Sequence, residues 1–508
     1  MGILRLVAII KKWVFHRVFV VALLMVLQLL VWAGIIWRFS NYFVFYYAFC
    51  ILLSIAVATH IINSKQNPAY KMAWVIPILL IPLFGGPFYL LCGRGRNSRR
   101  EQKRARAIVD NMPQYDIPNA IHDEISAQDK LAGNQSQYLI HYSHCPPYKN
   151  THTEYYELGE VMFERMKEEL EKAERYIFME YFIIEPGIMW DSILDILRRK
   201  AAAGVDVRLV YDDFGCMFTL PNRYDRTLED MGIKCSIFNR FKPVLSLQFN
   251  NRNHRKILVI DGHTAFTGGV NLADEYINAF EKHGHWKDTG ILLKGEGAWS
   301  FVEMFLSLWG YLRAAPEQTE DYRPINPPTY EHALGYVQPY WDAPMDDEQV
   351  GLTVYMNLIN KAKHHVYVMT PYLIIDNETL TAFGQAAKSG VDVQILTPGV
   401  PDKWYVHAVT RAYYQQLIED GVRIFEYTPG FLHAKSFLVD DEYAVVGTVN
   451  LDYRSLYLHF ECGAWTYRSE VSEPLKADFV NTRELCREIT LEDCRKVPFP
   501  VRLGRGLL

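Results

Sequence analysis

The chain has 508 residues, too many for one ordinary hydrophobic core, so its length alone predicts two or three domains. Half of the residues are hydrophobic and 14% are aromatic, which is rich for a soluble protein but too low for a carrier that crosses the bilayer many times. The formal net charge of −5 decides little because the charges are segregated, and the eight cysteines include no Cys-x-x-Cys pair that would indicate a structural zinc site.

Three long apolar stretches precede residue 93, at 18–37, 42–62 and 72–92. Each is long enough to cross a bilayer as a helix. The first is too long for a signal-peptide core and no small-residue cleavage site follows it, so it is expected to remain as an anchor. Three prolines make the third stretch irregular, either kinked or only partly inserted. Residues 1–106 are therefore predicted to be a membrane-anchoring region with about three spans.

A basic run follows the third stretch, with seven Lys and Arg residues against one acid between positions 94 and 106. Such a run binds nucleic acid or anionic lipid, and its place directly after an apolar span favours lipid, although a flank that only stops translocation fits as well. The Lys and Arg residues around the three spans favour a multi-pass cell-membrane protein whose globular part faces the cytoplasm. Residues 107–150, polar with scattered Pro and Asn, are predicted to be a linker.

Beyond the linker the sequence repeats itself. Each copy has an apolar run, a helix-like stretch and a Gly-Val-Asp-Val strand, with sequences YIFMEYFII (176–184) and AGVDVRLVYD (203–212) in the first copy, and VYVMTPYLII (366–375) and SGVDVQILTP (389–398) in the second. Short apolar strands that alternate with helices are typical of a sheet covered by helices. Two copies at this spacing predict a duplicated α/β domain, with the first domain at 151–325 and the second at 326–508.

Each copy ends in the same arrangement of polar residues, His-x-Lys, four residues, Asp, six residues and Gly-x-x-Asn. The fixed polar positions are His254, Lys256, Asp261 and Asn271 in the first copy and His433, Lys435, Asp440 and Asn450 in the second. With each residue type near 5% usage, such a pattern matches by chance roughly once per few million starting points. Two matches, each after a matching strand-helix-strand run, are not a coincidence.

The spacing of this motif has a physical consequence. Residues i and i+2 on a strand point to the same face, so the His and Lys of each copy project together. The asparagines arrive on a following strand or turn, close enough to offer amide donors. If the copies come together, two imidazoles, two ammonium groups and two amides share one pocket. That set suits a phosphate diester, because it supplies charge for the anion, a nucleophile and an acid/base.

These motifs resemble the HKD signature of the phospholipase D superfamily. Over roughly 150–490 the sequence is also similar to the cardiolipin synthase branch, through NHRKILVIDG with GGVNLADEY, HWKDTG and GTVNLDYRSLYLHFE. The Gly-Ser pair usual in that branch is Gly268-Gly269 and Gly447-Thr448 here, so one hydroxyl is lost and the other replaced. The resemblance implies two pseudo-symmetric mixed sheets flanked by helices and preceded by N-terminal transmembrane helices.

The resemblance also implies a role for each polar residue of the signature. One histidine attacks phosphorus and the other protonates the leaving alcohol, and we assign His254 as nucleophile and His433 as acid/base. The groups expected to hold the non-bridging oxygens are Lys256, Lys435, Asn271 and Asn450. Asp261 and Asp440 belong to the catalytic signature, but the resemblance implies a structural role away from the phosphate. The carboxylates expected behind the imidazoles, where they orient each ring, are Asp288 and Glu461.

The function implied by the resemblance is cardiolipin synthesis, in which a phosphatidyl group passes between two phosphatidylglycerol molecules. Neither a metal nor another cofactor is expected, and anionic membrane lipid rather than nucleic acid is the expected partner. A hydrolytic or head-group-exchanging phospholipase D and a phosphatidylserine synthase would use the same residues, as would a membrane-tethered nuclease. A non-catalytic scaffold is disfavoured because both motifs are complete.

The two copies differ in length immediately before the motif. The first copy has ten more residues than the second between the shared glycine and the motif histidine, and they fall around 241–245 (FKPVL). This segment is either a surface loop or a cover that admits a lipid hydroxyl to the pocket and excludes water.

Overall fold

The computed structural model describes residues 17–38, 43–64, 67–90, 119–240, 251–315, 317–325, 327–344 and 348–497. These residues belong to two compact units, a helical unit before residue 91 and a globular unit from residue 119 onward. Seven of the cysteines lie in the described part, and none of those seven forms a disulfide.

The helical unit contains α1 (Arg17–Arg38), α2 (Phe43–Ile62), α3 (Pro68–Leu80) and α4 (Pro82–Phe88). By length and composition, one helix among the described residues can cross a membrane, with its apolar segment at Val44–Ile62. The predicted set of three spans is therefore not confirmed. The third stretch is divided between α3 and α4, because Pro82 has no N–H to continue the helix.

Within the predicted linker at 107–150, the structure describes the residues from 119 onward, and two helices lie there. These are α5 (Ala120–Gln128) and α6 (Lys130–Ser143), whose first turns are capped by the side chains of Asn119 and Asp129. Their apolar faces pack into the core of the second repeat through Ile125, Ala132 and Leu139. The polar composition that suggested a linker is that of the exposed faces of these helices.

The first repeat builds a mixed sheet of seven strands. In chain order they are β1 (Thr151–Tyr156), β2 (Tyr176–Tyr181), β3 (Asp206–Asp212), β4 (Lys234–Phe238), β6 (Ile257–Ile260), β7 (Thr264–Gly268) and β9 (Gly290–Gly295). Two further short strands of this repeat, β5 (Arg252–Asn253) and β8 (His285–Lys287), lie outside the sheet. The spatial order is β1-β9-β7-β6-β2-β3-β4, with β2, β3 and β4 parallel and the other pairs antiparallel. The helices of this repeat are α7 (Gly159–Leu170), α8 (Ile188–Ala202), α9 (Tyr224–Asp230) and α10 (Trp299–Arg313).

The second repeat builds a sheet with the same strand order. Its strands are β10 (Tyr336–Asp342), β11 (His365–Met369), β13 (Asp392–Pro398), β14 (Arg423–Tyr427), β16 (Ser436–Val439), β17 (Tyr443–Gly447), β19 (His459–Tyr467) and β20 (Cys486–Ile489), and the short strands are β12 (Leu373–Ile374), β15 (Gly430–Leu432) and β18 (Leu451–Asp452). The spatial order β10-β19-β17-β16-β11-β13-β14 repeats that of the first sheet, and β20 is added at the edge. The helices are α11 (Val350–Lys361), α12 (Asn377–Lys388), α13 (Trp404–Glu419), α14 (Tyr453–Tyr457), α15 (Ser472–Glu484) and α16 (Leu491–Arg495). The predicted duplicated α/β fold is confirmed.

The two sheets share one hydrophobic core. Buried side chains of the first sheet, such as Phe178 and Val259, belong to the same cluster as Leu438 and Val446 of the second. The outer faces of the sheets are covered separately, by α7 and α8 on the first and by α11, α12 and α13 on the second. The two repeats therefore form one compact unit, in which β7 lies against β17 and β19.

Candidate active site

Two short parallel ladders join the repeats immediately before the motif histidines. β5 pairs with the start of β19, and β15 pairs with β8. The backbone N–H of His254 then donates to the carbonyl of Phe460 at 2.9 Å, and that of His433 donates to the carbonyl of Lys287 at 2.7 Å. Each histidine is thus positioned by a strand of the other repeat.

The carboxylates behind the imidazoles are arranged in the same crossed manner. Nδ1 of His254 lies 2.9 Å from Oε1 and 3.0 Å from Oε2 of Glu461, and Nδ1 of His433 lies 2.6 Å from Oδ2 of Asp288. Both carboxylates have fully buried side chains, and the histidine side chains are 9% and 8% exposed. The first repeat therefore supplies the carboxylate for the second histidine and the reverse, so neither repeat contains a complete site.

Burial and hydrogen bonding determine the protonation of these pairs. Burial lowers the pKa of His254 to about 3 and that of His433 to about 4. Burial alone would raise the pKa values of Glu461 and Asp288, but their bonded histidines hold both below the ordinary range. Each ring is therefore neutral and donates its Nδ1–H to a charged carboxylate, which leaves the Nε2 lone pair available.

The two lysines of the signature lie beside the histidines and are almost fully buried. Nζ of Lys256 donates to the carbonyl of His254 at 2.6 Å, and Nζ of Lys435 donates to the carbonyl of His433 and lies 2.8 Å from Nδ1 of that ring. Burial lowers the pKa of Lys256 to about 7 and that of Lys435 to about 8. The positive charge of Lys435 also lowers the pKa of Lys256, so the two motifs belong to one electrostatic environment.

The two asparagines of the signature are not equivalent. Asn271 is anchored, since its Nδ2 donates to the hydroxyl of Tyr276 at 2.8 Å and its Oδ1 accepts from the backbone N–H of Ile183 at 3.0 Å. In Asn450, the buried Oδ1 has no hydrogen-bond partner in the part of the chain that the structure describes. Both side chains are at most 4% exposed, and Asn450 retains an acceptor that in Asn271 is already hydrogen-bonded.

Asp261 and Asp440 lie away from the histidines, at the far ends of β6 and β16. The carboxylate of Asp261 accepts three backbone N–H bonds of 2.8–2.9 Å from Glu174, Arg175 and Tyr176 at the start of β2. Asp440 accepts the matching bonds of 2.7–3.0 Å from residues 363–365. These geometries fix neighbouring strands and do not aim the carboxylates into the pocket.

The substituted Gly-Ser pairs also differ between the repeats. The hydroxyl of Thr448 donates to Glu461 and accepts from the N–H of Cys462 at 3.0 Å. The second repeat therefore keeps a hydroxyl that is hydrogen-bonded to the carboxylate behind His254. In the first repeat Gly269 lies against Asp288, and a Cβ there would come within 1.9 Å of Oδ1. The shorter carboxylate of Asp288 fills that space, and its Oδ1 accepts from the N–H of Thr289 at 2.9 Å.

Sequence reasoning missed the residues two positions before each carboxylate. The ring of Trp286 lies 5.3 Å from that of His433, and the ring of His459 lies 5.5 Å from that of His254. The alternation of a strand places both on the same side as the following carboxylate, which is the signal that could have found them. Tyr276 and Phe431 complete an aromatic box around His433, at 5.5 and 5.7 Å.

His459 adds a second imidazole beside His254 and Glu461, and the three side chains form a group of possible metal ligands. Its Nδ1 lies 3.5 Å from Oε1 of Glu461, and one ligand atom from each of His254, His459 and Glu461 falls within 4.8 Å of the others. Such a group can hold a divalent cation, although the spacing of the sequence indicated no metal cluster. The segment 241–245 and the basic run at 94–106, for which the sequence made predictions, lie outside the described residues.

Comparisons with known proteins agree with this geometry. The family described as "Cardiolipin synthase, PLD-like domain" matches residues 166–284 and again 355–483, and a family described as "Phospholipase_D-nuclease N-terminal" matches residues 52–94. A cardiolipin synthase of Geobacillus kaustophilus is 35% identical over 464 residues, which cover 90% of this chain and 91% of the relative. An uncharacterized protein of Streptococcus mutans is 42% identical over 451 residues, with 87% and 96% covered.

Among solved structures, the phosphatidylserine synthase of Haemophilus influenzae has the same fold. It superposes with a TM-score of 0.56 at 16% sequence identity and covers 73% of this chain and 95% of its own. The family match falls once in each repeat, on the segments that carry the two histidines. The chain therefore belongs to the cardiolipin synthase family of phospholipase D-like phosphatidyltransferases.

Proposed function

We propose that this protein is a cardiolipin synthase that converts two phosphatidylglycerol molecules into cardiolipin and glycerol through a phosphohistidine. The observation that carries the proposal is the pair of crossed histidine–carboxylate contacts in one buried environment, each with a lysine beside it. Two imidazoles with separate carboxylates supply a nucleophile and an acid/base, and the lysines neutralise a phosphodiester without a metal. The substrate is supported by the 35% identical cardiolipin synthase, which aligns over nine tenths of the chain.

In the first step the Nε2 lone pair of His254 bonds to phosphorus of the donor lipid. The bond from phosphorus to the glycerol oxygen breaks, and protonated His433 gives its proton to that oxygen. In the second step neutral His433 takes the proton from the terminal hydroxyl of a second phosphatidylglycerol. That oxygen bonds to phosphorus, the N–P bond breaks, and its electron pair returns to His254. Glycerol and cardiolipin are the two products, and the enzyme regains its starting protonation.

The surroundings of the two histidines support this division of roles. His433 is neutral before the donor binds and must take up a proton as it binds, and aromatic rings within about 6 Å attract the cation that forms. Tyr276, Trp286 and Phe431 all lie within that distance of the ring. A bound phosphodiester anion favours the imidazolium further. The ring of His254 instead faces both oxygens of Glu461, which hold it in the tautomer that presents the Nε2 lone pair.

Labelled phosphatidylglycerol, supplied in vesicles to the purified full chain, tests the function. Labelled cardiolipin and an equal amount of free glycerol are expected, and excess glycerol should drive the reaction backwards. Phosphatidic acid as the main product would identify a hydrolase, and phosphatidylserine formed on addition of a cytidine-activated lipid and serine would identify the other synthase. His254→Asn is the matched inactive control in each case.

We also propose that the chain is a multi-pass cell-membrane protein with its catalytic unit in the cytoplasm. The apolar helix at Val44–Ile62 supports membrane attachment, and the Lys and Arg distribution supports the orientation. A reporter that is active only inside the cell, fused to the C-terminus, should be active. An external signal would overturn the orientation.

A further inference from the structure

Exposed apolar side chains in the catalytic unit are concentrated near the active site. Seven follow β2, β3 and β13 or precede β8, either on loops or in the first turns of α8 and α13, and we name them the apolar rim: Ile188, Phe214, Phe218, Phe280, Val400, Trp404 and Tyr405. Trp404 is 74% exposed and Phe280 is 58% exposed. In the described part of this unit, five of the six exposed aromatic side chains belong to the rim. Single exposed apolar residues need no explanation, but a concentration of this kind marks an interaction surface.

Contacts tie the rim to the first histidine. The guanidinium carbon of Arg252 lies 4.3 Å from the centre of the Phe214 ring, and Arg252 begins the short strand that leads into His254. At the start of α8, the N–H of Ile188 donates to Oδ2 of Asp274 at 3.0 Å, and Asp274 is three residues after Asn271. The rim therefore reaches the site from the loops after β2 and β3.

Contacts of the same kind tie the rim to the second histidine. The N–H of Val400 donates to the carbonyl of Gly430 at 3.3 Å, and Gly430 begins the strand that leads into His433. Phe280 lies on the loop of His283, whose ring is 6.3 Å from that of Phe431 in the aromatic box. Residues of both repeats therefore build the rim, and its contacts lead to the strands that precede both histidines.

The occupant of the rim has to satisfy two conditions. It must cover exposed aromatic and aliphatic side chains, and it must leave the pocket accessible to substrate. A protein partner seated on loops that border both histidines would close the site. A bilayer interface meets both conditions, because it shields the side chains and is the source of the lipid. Trp, Tyr and Phe are also the residues enriched at the boundary between lipid and water.

We propose that the apolar rim is the surface by which the catalytic unit itself docks on the bilayer, separately from the N-terminal helices. This inference rests on the proposed function, since it takes a lipid as the substrate. Docking brings a lipid phosphate to the buried histidines while its acyl chains stay in an apolar phase. Activity on bilayer substrate therefore depends on the rim, and activity on a dissolved short-chain substrate does not.

The test uses the full chain in vesicles with Phe280→Ser and Trp404→Ser as rim variants. Tyr142→Ser and Leu334→Ser are matched controls, because these side chains are 51% and 63% exposed elsewhere on the unit. With long-chain phosphatidylglycerol the rim variants should lose about tenfold in rate, the effect of one apolar side chain left in water. With dihexanoyl phosphatidylglycerol, dissolved as monomers, all four variants should match the parent protein. Equal losses on both substrates would assign the rim to the pocket and overturn the proposal.

A second measurement is independent of catalysis. A photoreactive benzophenone side chain at position 280 or 404 should cross-link to labelled phosphatidylcholine in the vesicles, and the same group at 142 or 334 should not. Cross-links to a second copy or to another protein in place of lipid would refute the docking role. If lipid cross-links form at the rim but no cardiolipin is made, docking stands and the proposed function fails.

Discussion

Replacing each buried carboxylate by its amide separates the roles of the two histidines. The variants are Glu461→Gln, which removes the charge behind His254, and Asp288→Asn, which removes the charge behind His433. The amides keep nearly the same shape, so the pocket is expected to fold. What changes is the stabilisation of the imidazolium form, and the tautomer of each ring is no longer fixed by a pure acceptor.

The structure sets the size of the effect. Both carboxylates are fully buried and contact Nδ1 at 2.6–3.0 Å, so water does not screen the loss. A charge left uncompensated in such a place costs about 3–5 kcal/mol, which is a factor of about 10²–10⁴ in rate. Both variants should show losses of this size in the formation of cardiolipin from phosphatidylglycerol.

The leaving group distinguishes the two variants. A phosphatidyl donor that carries p-nitrophenol does not need a proton on the leaving oxygen, so the first step no longer needs His433 as an acid. Release of p-nitrophenol by Asp288→Asn should therefore recover to within about tenfold of the parent protein, whereas Glu461→Gln stays slow. The opposite pattern would exchange the roles of the histidines. Recovery of both variants, or of neither, would refute the assignment of separate roles.

Four further predictions follow from the same contacts. His254→Asn and His433→Asn should each abolish cardiolipin formation, and only the latter should accumulate a labelled phosphoenzyme on an activated donor; labelling of the former would contradict the nucleophile assignment. Because the lowered pKa of Lys256 removes its charge as pH rises through about 7, kcat/KM should fall above that pH, and Lys256→Arg, which stays charged, should move the fall upward. Activity should survive strong chelators, and loss that one divalent ion restores would assign a metal to the pocket. Asp440→Ala should lower the free energy of unfolding by about 3 kcal/mol, measured by denaturant, since three backbone N–H groups lose their acceptor; Asp441→Ala, at a side chain that is 46% exposed, should cost little.

The sequence predicted the parts of the fold that local patterns determine. Strand, helix and strand recur within each repeat, and both motifs lie at the start of an apolar strand, so duplication and the direction of the His and Lys side chains are visible without a structure. The membrane region was less predictable, because hydropathy does not show where a proline divides an apolar stretch. The three prolines predicted an irregular third stretch, and the structure divides that stretch into α3 and α4 at Pro82.

The crossed pairing of histidines and carboxylates could not be predicted from the sequence. Asp288 and Glu461 stand at similar distances after the histidine of their own repeat, so spacing alone gives no sign that each serves the other ring. The crossing depends on two ladders of two and three residue pairs between distant segments. Ladders this short have no periodicity to detect, and they join segments that lie far apart in the sequence.

The same ladders explain how duplicated halves can hold different chemistry. The residue that faces each histidine comes from the partner repeat, two positions before the carboxylate, and it is His459 on one side and Trp286 on the other. A substitution in one repeat therefore alters the surroundings of the histidine that belongs to the other. A ping-pong transfer needs one ring that stays neutral to attack and one that takes up a proton when the donor binds, which identical surroundings could not provide. Divergence at a few positions on β8 and β19 is enough to make that distinction without changing either sheet.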